Sequence, residues 1–351
     1  MGRALTLTVT LITLAGCSAP VTSPVASTPA PAASASAPTA SPSASVTPSA
    51  PATAPDGRPF VVEELATFDE PWAMTFLPSG ELLVTERGGR LLLRGTDGRT
   101  VEVGGVPEVV HDGQGGLGDI ITSPDFAADR TVYLSWAARG EGGSGAAVGR
   151  ARLAGTPDAP ALTGLEVIWR QRPKTSGAGH FGHRLAFSPD GTHLFISSGE
   201  RQKLEPAQDL GTNLGKIVRL TPDGAPAAGN PWADRGGVTA ELWTRGHRNP
   251  LGLAFDPSGN LWSSEMGPRG GDELNLIQPG NNYGWPKASN GSHYDGRDIP
   301  DHRSGDGFAA PAAFWTPSVS PSSLMIYTGS AFSHWQGDAF IGALSGEALI
   351  R

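Results

Sequence analysis

The sequence predicts an all-β fold built from repeated small sheets, a propeller, and three observations point to it. Glycine and proline are abundant, at 48 and 31 of 351 residues, while apolar side chains at helical spacing are scarce. Short runs alternate apolar and polar residues, at 81–85, 132–136, 193–197 and 260–264, and turn residues bound each run. A weak repeat, in which an apolar residue precedes a proline-containing turn and then a strand, recurs as FLPSGELLVTE, ITSPDFAADRTVYLSW, FSPDGTHLFISSGE and FDPSGNLWSSE. Its markers Pro78, Pro124, Pro189 and Pro257 lie 46, 65 and 68 residues apart, which suits a four-stranded blade with inserted loops.

Taken in order, the chain begins with a segment that is not part of that fold. Arg3 precedes an apolar run at 4–15 that falls short of the about 20 residues a spanning helix needs, so residues 1–16 read as a signal peptide. The run ends in Leu14-Ala15-Gly16-Cys17, which resembles a lipobox and marks the single cysteine, Cys17, for lipidation. With one cysteine, no disulfide forms within the chain. Residues 17–55 are almost wholly Ala, Pro, Ser and Thr after the cysteine, too poor in large apolar groups to offset their ordering entropy, and read as an extended tether. These features place the protein outside the cytoplasm, lipid-anchored to the outer face of the cell membrane. Residues 56–351 then form one β-propeller domain.

Chemistry is concentrated at 245–286. His247, Arg248 and Asn249 fall on a loop before the strand at 251–255, and Glu265, Asp272 and Glu273 surround the Gly267-Pro268 turn. The donors on offer are oxygens, with no Cys or His cluster at zinc spacing, which favours calcium. Lys and Arg number 26 against 34 Asp and Glu, a formal net charge of −8 that excludes the basic footprint of a nucleic-acid binder.

The same stretch, together with DGQGGLGDIITSPDF (112–126), GHFGHRLAFSPDG (179–191), SGER (198–201), AQDLGTNLGKIVRLTPDG (207–224) and PSVSPSSLMIY (317–327), resembles the soluble quinoprotein sugar dehydrogenases that act on glucose, other aldoses and sorbosone. The resemblance covers roughly residues 60 to 351. It implies a six-bladed β-propeller of the quinoprotein glucose dehydrogenase type. Because that family continues through about one more blade carrying an Arg-x-Arg clamp, the fold is expected to be incomplete at its C-terminus.

The resemblance also implies an oxidoreductase that uses pyrroloquinoline quinone (PQQ) and calcium to oxidise an aldose at its anomeric hydroxyl to a lactone, passing hydride to the quinone and electrons to a separate acceptor. His180, matched through HFGHR, is the implied general base, a role that suits a neutral imidazole. Glu200 orients it, and Arg248 stabilises charge on the quinone, helped by its fixed fork of donors. Gln114, Asn249 and Trp315 join Arg248 as cofactor contacts. The carbonyls of Gly267 and Pro268 hold the bridging calcium, and Asp272, Glu273 and Tyr283 match a second calcium site. Leu251 stands where some members have glutamine, and Ser345 where others have lysine. His183 is read as structural. Simpler readings pair Glu200 with Arg201, and Arg248 with Asp272 or Glu273. A homodimer is compatible with the sequence. Two other functions remain open: a non-catalytic lipid-anchored propeller that binds carbohydrate or protein, and a calcium-dependent lactonase.

Overall fold

The computed structural model of the protein describes residues 60–351. The signal peptide, the tether and Cys17 lie outside the described residues.

The first blade is an antiparallel meander of β1 (Pro71–Phe76), β2 (Leu82–Glu86), β3 (Arg90–Arg94) and β4 (Thr100–Glu102). The second is built from β5 (Leu117–Thr122), β6 (Thr131–Gly140), β7 (Gly143–Thr156) and β8 (Ala159–Arg170), with a short helix, Phe126–Asp129, in its first turn. Next come β9 (Gly182–Phe187), β10 (Leu194–Ser198), β11 (Lys216–Leu220) and β12 (Leu242–Arg245). The fourth blade starts with β13 (Pro250–Phe255) and β14 (Leu261–Glu265). A two-stranded ribbon, β15 (Arg269–Gly270) with β17 (Gly291–Ser292), flanks its third strand β16 (Asp272–Ile277), and β18 (Ala313–Trp315) completes it. A three-stranded fifth sheet contains β19 (Met325–Ile326), β20 (Ala339–Ala343) and β21 (Ala348–Ile350). The fold is therefore an all-β propeller, with five blades among the described residues against the six of a complete ring, in line with the expected incompleteness.

The sequence repeat is the first hairpin of each of the first four blades: Phe76–Glu81, Phe187–His193 and Phe255–Asn260 are the turns between first and second strands. Gly80, Gly191 and Gly259 supply the positive φ that these turns require. In the second blade Arg130, with φ 56°, does the same after the short helix.

First strands of successive blades touch, β1 with β5, β5 with β9, β9 with β13 and β13 with β19, so they line the propeller axis. The core lies between blades rather than at one centre. Leu83 and Leu91 pack against Leu117 and Leu134 between the first two. Val148 and Trp169 meet Leu185, Ile196 and Val218 in the next interface, and Phe195 and Ile217 meet Leu253 and Leu261 in the third. The alternating pattern explains this, since each strand turns its apolar residues to the neighbouring sheets.

Polar contacts close the axis. Arg184, on β9, donates from Nε to the Leu251 carbonyl (2.8 Å), from Nη1 to Asp119 (3.2 Å) and from Nη2 to the Ser322 carbonyl (3.0 Å). Its guanidinium lies 4.0 Å from the Trp72 ring centroid, and Trp72 stacks in turn on His183. One side chain thus reaches all five blades. Asp119 also accepts from the Leu185 and Ile120 amides. Replacing Arg184 with Met strands that buried carboxylate, and urea unfolding is expected to show a loss of about 3–5 kcal/mol. A loss comparable to that of a surface substitution would show that the blades cohere without it.

Candidate active site

His180 sits in the loop before β9, buried, with a positive φ of 50°. Its Nδ1 lies 2.5 Å from Oε1 of Glu200, in the turn after β10. Oε2 of Glu200 accepts from the amides of Lys203 and Leu204, the latter at 2.6 Å, and the Glu200 amide donates to the Arg248 carbonyl. Glu200 has no exposure to solvent. Burial alone would raise its pKa, but the His180 hydrogen bond, the Leu204 amide and the nearby Arg248 charge together hold it below the usual carboxylate range. For His180, burial outweighs the carboxylate and, with Arg248 adding to it, pulls the imidazole below its ordinary value. The ring is neutral near pH 7 with Nδ1 engaged by Glu200, which leaves Nε2 as the atom free to accept a proton.

Gln114 and Asn249 flank this histidine. Oε1 of Gln114 accepts from the His180 amide (2.6 Å), and the Gln114 amide donates to Ala178, so the GQGG turn is tied to the histidine loop. Oδ1 of Asn249 accepts from Gly182 (3.2 Å). Both side chains line an axial cavity of about 400 Å3 together with Trp72, Phe181 and Met266. That volume and mixed lining suit a small organic ligand.

Arg248 lies beneath the adjoining loop, not paired with Asp272 or Glu273. Its amide donates to Oε1 of Glu265 (2.5 Å), Nη1 to the Met266 carbonyl (3.1 Å) and Nη2 to the Tyr294 hydroxyl (3.1 Å), while Nε is buried without a partner among the described residues. Oε2 of Glu265 pairs with Nδ1 of the fully buried His247 (2.8 Å), whose Nε2 meets Thr244. A second carboxylate, Glu273, stands directly across the β14–β16 ladder from Glu265. Burial, reinforced by Glu265, keeps Glu273 above the usual carboxylate range although His302 opposes this.

Gly267 and Pro268 are buried and, among the described residues, neither carbonyl accepts a hydrogen bond. A Cβ at Gly267 would fall 2.2 Å from the Gly271 carbonyl oxygen, so only glycine fits there. These residues, with Glu265, Glu273 and Tyr283, line a second small cavity of about 10 Å3. Among the described residues no group of three or more His, Cys, Asp or Glu side chains could hold a metal ion. The open carbonyls are the kind of oxygen donor calcium takes, and since both oxygens of Glu265 are engaged by His247 and the Arg248 amide, Glu273 is the carboxylate left beside them.

Two expected residues are placed differently. Both oxygens of Asp272 are occupied, Oδ1 by the Gly267 amide and Oδ2 by Ser318 and the amides of Val319 and Ser320, so it fixes the turn beside the cavity rather than facing a cation. Trp315 ends the outermost strand of the fourth blade and is not among the residues lining the axial cavity. Tyr283 is half-way between: its hydroxyl donates to Leu276 and accepts from Gln278, leaving only its main chain for the cavity, and burial pushes its pKa up to about 12. His183, read as structural, has Nδ1 against Ser135 and lines the axial cavity, and burial pushes its pKa down to about 3.

A family model for glucose/sorbosone dehydrogenases matches residues 68–351. The chain belongs to this family. It is 43% identical over 289 residues to the aldose sugar dehydrogenase YliI of Escherichia coli K12, covering 80% of this chain and 77% of that protein. The crystal structure of the soluble E. coli aldose sugar dehydrogenase in its apo-form superposes with a TM-score of 0.75 at 42% identity, over 80% of this chain and 82% of that one. The PQQ-bound aldose sugar dehydrogenase of Streptomyces coelicolor matches at 35% identity with a TM-score of 0.69, over 82% and 80%.

Sequence reasoning missed the Glu265 carboxylate's partnership with His247 and the role of Arg201. A usable signal was present: the repeat ends in glutamate in three copies, Glu86, Glu200 and Glu265. All three are buried. In this family member, Glu200→Ala removes the group that favours the His180 imidazolium, so His180 is expected to titrate at lower pH still, read by NMR of the ring. The same change flattens acid unfolding: folding depresses the Glu200 pKa, so its contribution is full above the unfolded value and fades as pH falls through the native one. An unchanged His180 titration would mean the pair is not coupled.

Proposed function

We propose that this protein is a PQQ- and calcium-dependent aldose dehydrogenase that oxidises the anomeric hydroxyl to a lactone. The observation that carries the reading is the buried His180–Glu200 pair, whose loop is held by Gln114 and Asn249, two residues in the wall of the axial cavity. Membership of a family with PQQ-bound relatives supports the cofactor.

In this reading Nε2 of His180 takes the proton of the sugar's anomeric hydroxyl as the O–H bond breaks and the C1=O bond forms. Bound PQQ supplies the quinone that accepts the hydride from C1. Glu200 stabilises the imidazolium and holds the ring in place, and burial keeps the resting base unprotonated at neutral pH. Gln114 and Asn249 orient the cofactor from the cavity wall. Arg248, whose Nε has no protein partner, places permanent positive charge near developing oxyanions. The Gly267 and Pro268 carbonyls would hold calcium, with Glu273 and Glu265 close by as the acidic pair. The two electrons taken from the sugar would pass to a separate acceptor. Lipidation at Cys17, supported by the lipobox-like Leu14-Ala15-Gly16-Cys17, would put this activity at the outer face of the cell membrane.

The test is reconstitution of the full chain with PQQ and calcium, followed by dye reduction across a panel of aldoses. Turnover is expected, and His180→Ala is expected to lower kcat by about 10²–10⁴ with PQQ affinity nearly unchanged. PQQ-independent lactone hydrolysis would instead favour the lactonase, and sugar binding without turnover the non-catalytic propeller.

A further inference from the structure

Arg201 is fully buried, and among the described residues no carboxylate lies within ion-pair distance of it. It turns away from its neighbour Glu200 and spends its donors on the loop that carries His180. Nη1 donates to the Gly179 carbonyl, and Nη2 donates to the Gly177 carbonyl (2.7 Å) and to Ser144 Oγ (3.0 Å). The guanidinium carbon sits 3.6 Å from the centroid of Phe181, the residue after the histidine. The Arg201 amide closes the arrangement by donating to the His180 carbonyl (3.2 Å).

Such convergence has a physical purpose at this place. His180 adopts φ 50°, and Arg201 and Gln202 across from it adopt 60° and 59°, conformations that side chains with a Cβ hold only when surroundings over-determine them. Burying a guanidinium is costly; here the nearby Glu200 charge, the cation–π contact, two carbonyls and the Ser144 hydroxyl offset it, while Nε is buried without a partner among the described residues. Groups this expensive are kept where they fix a geometry. We infer that Arg201 is a positioning residue for the base: it clamps the 177–181 main chain and so holds the His180 imidazole against Glu200. This rests on the reading of His180 as the base.

A second consequence comes from the charge. Burial is the main cause of the low His180 pKa, and Arg248 and Arg201 add to it. Arg201 therefore works in two separable ways, through its fork of donors and through its positive charge. Lysine retains the charge but cannot span two carbonyls and a hydroxyl from one planar group. Methionine removes both.

The experiment compares wild type, Arg201→Lys and Arg201→Met in the full chain. Without cofactor, NMR follows the His180 ring titration and amide exchange at 179–181; with PQQ and calcium, the pH profile of kcat/KM is recorded. For Arg201→Lys, exchange at 179–181 is expected to quicken while the His180 titration stays in place, and kcat to fall about 10–100-fold from misplacement of the base. For Arg201→Met, the titration and the acid limb of the profile are expected to move to higher pH as well. If Arg201→Met does not fold, the lysine variant decides alone, through exchange at 179–181 relative to amides of β13. Wild-type exchange in Arg201→Lys overturns the clamp, and a wild-type titration in a folded Arg201→Met overturns the charge effect. These outcomes are independent of the base assignment, which falls only if His180→Ala keeps full turnover.

Discussion

The Arg184 guanidinium at the propeller axis is the contact on which the rest of the architecture turns. A propeller has no single core; its blades meet pairwise, and apolar packing between two neighbours says nothing about the others. Arg184 binds first strands that the chain separates widely, Trp72, Asp119, Leu251 and the approach to the fifth blade at Ser322, into one frame. Because its partners are carbonyls, a carboxylate and a ring face, its hold is directional where the apolar seams are not. The loops bearing Gln114, His180 and Asn249 rise from that frame, so the spacing between them is set by the axis.

Above the axis, the site is a chain of mutual dependence rather than a set of separate side chains. Gln114 holds the His180 amide, Glu200 holds its ring, the Glu200 amide is held by the Arg248 carbonyl, and Arg248 leans on Glu265 and Met266. The links from Gln114 to His180 and from Glu200 to Arg248 cross from one blade to the next, and the others lie within a blade. Removing one member therefore perturbs geometry at a distance, and effects of paired substitutions should not add.

The blades were readable in the sequence wherever the hairpin repeat survives, because a proline-containing turn between alternating runs fixes both the strand ends and the register. The fifth blade lacks that mark: β19 has two residues, and its turn is filled by a short 3-10 segment at Ser333–Trp335 with aromatic packing around Tyr327 and Phe340. The His180–Glu200 pair was legible through motifs, and the geometry bears out their juxtaposition. Asp272 and Trp315 were not, because their fate depends on which amides of the 318–320 turn reach back and on β18 being the outer strand, both decided by long-range packing. Arg184 and Arg201 were invisible for the same reason. The acid that Arg184 meets, Asp119, lies 65 residues away in the chain, and Arg201 answers carbonyls and a hydroxyl instead.

The glutamate that closes three of the repeated hairpins shows how a symmetric scaffold becomes asymmetric. Glu86 pairs with Arg90 and takes the Asp69 amide, Glu200 takes the ring of His180, and Glu265 takes the ring of His247 and the amide of Arg248. The acid is the constant and its visitor the variable. Glu86 and Glu265 end their strands while Glu200 lies two residues past the end of β10, and whether such a buried acid becomes masonry or machinery is settled by the residue that folds back to meet it.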